Sequence, residues 1–212
     1  ETEILAFVHR QRQCVGAVFN VEFEDFGVGV VIDALVGFER RDGDVNQAGI
    51  EVFHVMNITD VEDKIIKSSQ KENVSLKEFT QRYEKAFFED LESLNIDKAD
   101  LFPRATEHID DMVLMIKKLL DEGIAYKSED GSVYYDISKF KEYAKLSHAK
   151  ISGLKGGARV KQDSYDKEQA NDFALWKSYD KEDGDVFWDT EIGKGRPGWH
   201  IECSAMSICH LG

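Results

Sequence analysis

The run IEVFHVMNITD, residues 50–60, constrains this chain more than any other stretch. Apolar and β-prone residues fill it, and Asn57 and Asp60 close it, which is the pattern of a buried strand ending in a turn. Two helical patterns follow. VEDKIIKSSQ is expected to form a helix capped by Thr59 or Asp60. LKEFTQRYEKAFFEDLESLN places apolar residues at 76, 79, 83, 86, 87, 91 and 94, the spacing of one helical face. A further helix is predicted from PRATEHIDDMVLMIKKLLDEG, with Thr106 as its cap, Asp110 and Asp111 in its first turn, and Gly123 ending it. IAYKSEDGSVYYDI reads as a hairpin around Asp-Gly. SGLKGGARV reads as a loop and NDFALWKSY as a short apolar element around Trp176. Strands alternating with helices in this order predict an α/β fold.

Composition narrows the class. With 212 residues the chain has room for one domain or two small ones. No apolar run reaches the length of a membrane span. Three cysteines, Cys14, Cys203 and Cys209, are too few and too uneven for a disulfide framework, so a reducing, cytoplasmic setting is expected. A net charge of −14 argues against a general nucleic-acid coat. Between Lys139 and Lys161, however, basic residues outnumber the single acid Glu142, so the stretch is either a solvated loop or a local phosphate-contacting patch. Residues 1–50 contain no lysine, although the rest of the chain is rich in it, and show no confident alternation or helical face.

The chemistry concentrates in GKGRPGWHIECSAM, residues 193–206. The glycine-rich part reads as a flexible loop, whose Gly193, Gly195 and Gly198 mark bends or close approach of the backbone. It is not a phosphate loop by spacing. His200 and Cys203 stand at i and i+3, compatible with two ligands on one metal, and Cys209 and His210 two turns later could add more. The competing readings are a buried small hydrophobe for Cys203, a core residue for Trp199, and a cap or turn residue for Thr59.

Six blocks, MNITDVEDKIIK, PRATEHIDDM, GSVYYDISKF, GGARV, DFALWK and GKGRPGWHIECSAM, occur in the order found in cysteinyl-tRNA synthetases, which residues 51–212 resemble. The resemblance implies a class I synthetase with a Rossmann-type catalytic core, present here in part, and a connective-peptide insertion. Residues 51–102 would belong to the core, 103–190 to the insertion, and 191–212 to a truncated re-entry into the core; 1–50 stay unassigned. It also implies activation of cysteine with ATP and Mg2+, transfer to tRNA(Cys), and one Zn2+ that holds the substrate thiol. Cys203 matches a zinc ligand of the family, Trp199 the tryptophan beside the substrate cysteine, and Thr59 a residue lining that pocket. Lys150, Lys155 and Arg159 would then meet the tRNA.

The chain departs from the family pattern at both ends. Residues 1–50 lack the C-G-P-T and H-I-G-H blocks, and CVGAVFN around Cys14 is only a faint echo of the first. The family's histidine and glutamate zinc ligands and its K-M-S-K-S loop would lie beyond Gly212. The expectation is a fragment that does not activate cysteine alone, with residues 1–50 arising from a frame error, misassembly or fusion. The alternative is a non-catalytic, synthetase-like module that binds tRNA, zinc or a protein partner.

Overall fold

A computed structural model describes residues 20–21, 32–38, 52–140 and 172–212. The expectations for Cys14, Lys150, Lys155 and Arg159 therefore lie outside the described residues.

The run at 50–60 forms β3 (Val52–Ile58), after β1 (Asn20–Val21) and β2 (Ile32–Phe38). β2 pairs antiparallel with β3, Ile32 opposite Ile58 and Phe38 opposite Val52, and β1 pairs with β2. On its other side β3 is joined in parallel by residues 100–104: Met56 N donates to the Leu101 carbonyl at 2.9 Å and Ile58 N to that of Pro103 at 2.8 Å. Between them run α1 (Asp63–Glu72) and α2 (Leu76–Ser93), so β3, the two helices and the returning segment form a crossover unit of α/β type.

α1 is capped by Glu62, whose carboxylate accepts from Lys64 N at 2.9 Å, and not by Thr59 or Asp60. Asp60 is already engaged with Thr106, which therefore does not cap the next helix either. Thr106 sits in a short 3-10 turn, Ala105–Glu107, ahead of α3 (Ile109–Asp121). Gly123, at φ 68°, takes the left-handed exit predicted for it. On α2 the apolar face buries Phe79 and Leu91, while Tyr83, Phe87 and Phe88 pack with Phe102 around Ile58.

The remainder builds a second, antiparallel sheet in the order β4-β5-β6-β8-β7: β4 (Ala125–Lys127), β5 (Val133–Tyr135), β6 (Phe173–Ser178), β7 (Trp188–Thr190) and β8 (Gly193–Pro197). The Asp-Gly hairpin is β4–β5. The stretch read as a flexible glycine loop is β8, paired on both sides. Its glycines serve close approach. A Cβ on Gly195 would lie 2.1 Å from the Lys177 carbonyl oxygen, and one on Gly198 2.1 Å from that of Ala174.

α3 and the last helix, α4 (Trp199–Leu211), cover this sheet; Met112, Ile116, Leu175, Trp176, Ile201 and Met206 form one core. Charges tie α1 to the sheet. Arg196 on β8 donates to Asp183 at 2.9 Å and to Asp63 at the start of α1, and Lys177 on β6 donates to the second oxygen of Asp63 at 2.9 Å. No helix among the described residues is long and apolar enough to cross a membrane.

Candidate amino-acid pocket and its neighbours

Leaving the sheet at Gly198, the chain starts α4 against the carboxyl end of β3. Cys203 Sγ lies 3.8 Å from Asn57 Oδ1, where the two elements meet. Trp199 stands one turn earlier and so shares that face of α4. Thr59 follows Asn57 by two residues, the repeat that returns an extended chain to the same side.

Asn57 and Thr59 are fully buried. The Asn57 Nδ2, Thr59 Oγ1 and Trp199 Nε1 atoms are buried without a hydrogen-bond partner. An unpaired polar group in the interior costs about 1–3 kcal/mol, so each of these atoms is open to a polar partner from outside the fold. Thr59 is thus not a cap, and Trp199 is only partly buried, unlike the fully buried Trp176.

The other sequence-predicted ligands go elsewhere. His200 turns its ring against Phe173, centroids 4.6 Å apart. Cys209 and His210 do not add to Cys203: with His108 they form the one three-residue group among the described residues whose ligand atoms lie within 4.8 Å of one another. The reason is helical rise, since seven residues carry His210 about 10 Å along the axis from Cys203. Burial, and then the neighbouring His108, hold His210 below the usual histidine range.

Sequence reasoning missed Asn57 as a site residue and treated it only as a strand end; its i, i+2 relation to Thr59 was the available signal. It also missed Arg196, whose partners Asp63 and Asp183 are both remote from it in the sequence. Arg104, in turn, holds the largely buried Glu84 through Nε at 2.9 Å and through Nη2, and this pairing keeps its guanidinium above the ordinary value.

Comparison with known proteins shows the family of the chain. Residues 31–212 match the model of the tRNA synthetases class I (C) catalytic domain. The chain is 53% identical over 165 residues to a cysteine--tRNA ligase of Chlamydia pneumoniae, covering 77% of this chain and 35% of that protein. It is 48% identical over 188 residues to one of Koribacter versatilis (strain Ellin345), covering 89% and 36%, and 52% identical over 166 residues to one of Brachyspira hyodysenteriae, covering 77% and 35%. The chain belongs to the class I tRNA synthetase (C) catalytic-domain family. It spans only 35% to 36% of the length of these relatives. The family match begins at residue 31, so the relationship extends upstream of residue 51, where the resemblance was expected to start, and takes in part of the segment expected to be foreign.

Proposed function

We propose that this chain forms part of the catalytic unit of a cysteine--tRNA ligase and supplies one wall of its amino-acid pocket. The observation that supports this reading is the contact of Cys203 with Asn57 at 3.8 Å, together with the buried, unpartnered Asn57 Nδ2, Thr59 Oγ1 and Trp199 Nε1 atoms on the two segments that meet there. On this reading Thr59 and Trp199 contact the substrate cysteine: Thr59 offers a hydroxyl, and Trp199 offers an aromatic wall with a donor at its edge.

Cys203 is the proposed zinc ligand. Its thiol is the donor type zinc favours, and it fits one position of the four. Cys203 is in no group of three or more candidate ligands among the described residues, and on this reading the remaining ligands come from residues outside them. Zinc there would hold the substrate thiol as thiolate and disfavour serine, whose hydroxyl is a hard, weakly acidic ligand.

The complete reaction belongs to a longer polypeptide on this reading. The cysteine carboxylate attacks the α-phosphorus of Mg2+-bound ATP and releases pyrophosphate; a ribose hydroxyl of tRNA(Cys) then attacks the acyl carbon and releases AMP. We assign residues 51–102 and 191–212 to the core of that enzyme, 103–190 to its insertion, Lys150, Lys155 and Arg159 to tRNA contact, and the whole to the cytoplasm.

Cysteine-dependent ATP–pyrophosphate exchange tests the proposal, measured on this chain and on a ligase completed around it. Exchange is expected only in the completed enzyme, where Thr59→Val and Trp199→Ala raise KM for cysteine and Cys203→Ser lowers the zinc content by one ion per chain. A completed enzyme whose cysteine KM and zinc content ignore all three substitutions would place the pocket elsewhere.

A further inference from the structure

We propose that His108, Cys209 and His210 form a second transition-metal site, suited to zinc and separate from Cys203. The site joins two helices. His108 precedes α3, while Cys209 and His210 occupy the last turn of α4. α3 and α4 share one core through Met112, Ile116, Ala205 and Met206, so packing rather than the metal sets their spacing.

The geometry suits coordination. The two Nε2 atoms are hydrogen-bonded at 3.2 Å through a proton that a metal would replace, and two imidazole nitrogens on one tetrahedral zinc, each at about 2.0–2.1 Å, are separated by about 3.3 Å. The rings meet nearly edge to face, at 84° with centroids 5.0 Å apart. Cys209 brings its sulfur within 4.8 Å of a ring nitrogen of each histidine.

The surroundings prepare one ligand in advance. Asp111 Oδ2 sits 2.8 Å from His108 Nδ1, so the proton is held at Nδ1 and the Nε2 lone pair faces His210 and Cys209. A carboxylate behind a histidine is the usual outer partner of a metal-bound imidazole. The His108 side chain is 11% exposed, while Cys209 is exposed. The group therefore opens to the surface on its thiol side, leaving a fourth coordination position for water or for a residue supplied from elsewhere. Two imidazoles and a thiolate favour zinc over magnesium or calcium, which take oxygen ligands.

Titration of the whole chain with Co2+, used as a spectroscopic stand-in for Zn2+, tests the site. Tetrahedral d–d bands and a sulfur-to-cobalt charge-transfer band are expected, with Zn2+ displacing the Co2+. Cys209→Ser should abolish the charge-transfer band, His210→Asn should weaken binding at least tenfold, and Asp111→Asn should weaken it by about 10–100-fold. Cys203→Ser should leave all these signals intact, which separates this site from the proposed pocket ligand. Alkylation of unmodified chain, mapped by mass spectrometry, gives a second measurement that needs no variant: Zn2+ should protect Cys209. A charge-transfer band that survives Cys209→Ser, its loss in Cys203→Ser alone, or alkylation of Cys209 unaffected by Zn2+ would each overturn the proposal.

Discussion

Asp60 accepts two hydrogen bonds from Thr106 across 46 residues of sequence, from the backbone N–H at 2.9 Å and from the hydroxyl at 2.6 Å. This pair fastens the turn after β3 to the turn before α3, next to Thr59 in the chain. Removing both acceptors by Asp60→Ala should destabilise the protein by about 1–3 kcal/mol, because the two Thr106 donors lose their partner. Asp60→Asn keeps an acceptor for the N–H and a donor for the hydroxyl oxygen, and should cost less. Urea denaturation of the two variants compares them.

The same carboxyl gives a pH signature. Burial, outweighing the Thr106 hydrogen bonds and Arg104, raises its pKa above 3.8. A folded pKa above the unfolded one contributes stability that is complete below the unfolded value and lost as pH rises through the folded value. Wild type should therefore lose stability relative to Asp60→Asn as pH rises from acid toward neutral. A difference between them that stays flat with pH would show that burial does not govern Asp60.

Asp63 titrates in the opposite sense. Burial is the largest influence on it and opposes ionisation, but Arg196 and Lys177 together outweigh burial and lower its pKa below 3.8. Its contribution is therefore present above the unfolded pKa and disappears as pH falls through the lowered one. Arg196→Met should cost about 3–5 kcal/mol at neutral pH, since it leaves Asp183 buried without its guanidinium partner. The loss should shrink in acid, where Asp63 is protonated in either protein. Thermal unfolding at several pH values reads both effects.

These long-range partners explain what the sequence could and could not show. β3, α2 and α3 were legible because their periodicity is local, and the β4–β5 hairpin because Asp-Gly dictates its turn. Capping was misjudged at Asp60 and Thr106 because each satisfies the other, which no local rule detects. β8 was misread because three of its five residues, Gly193, Gly195 and Pro197, are turn formers by composition; the reason for them lies on β6. At the candidate site, Thr59, Trp199 and Cys203 are singled out by the family resemblance. The pairing of His108 with Cys209 and His210 brings together residues about a hundred positions apart and left no trace in their spacing.

Gly198 should tolerate no side chain. Its added Cβ would meet the Ala174 carbonyl at 2.1 Å and its carbon at 2.7 Å, both backbone atoms of the neighbouring strand. Neither can rotate away, so Gly198→Ala must push β6 from the start of α4. The cost should reach or exceed the roughly 1–3 kcal/mol of ordinary overpacking, and it should displace Trp199 and Cys203 along with the helix. Gly123→Ala is the control: nothing lies within 4 Å of its Cβ, and only its φ of 68° opposes the change, for about 1–2 kcal/mol. Melting temperatures rank the two.

Gly195 and Trp176 can be tested as a pair. Trp176 is fully buried, and its indole Nε1 has no hydrogen-bond partner. Trp176→Phe therefore forfeits packing but no hydrogen bond, and should cost less than the roughly 3–5 kcal/mol of Trp176→Ala. A Cβ on Gly195 would lie 2.7 Å from that indole nitrogen and 2.1 Å from the Lys177 carbonyl. Trp176→Phe removes the first clash and leaves the second. A double-mutant cycle of Gly195→Ala with Trp176→Phe should show a favourable coupling that recovers only a minority of the Gly195→Ala cost. Full recovery would mean that the indole, rather than the β6 backbone, forbids a side chain at 195.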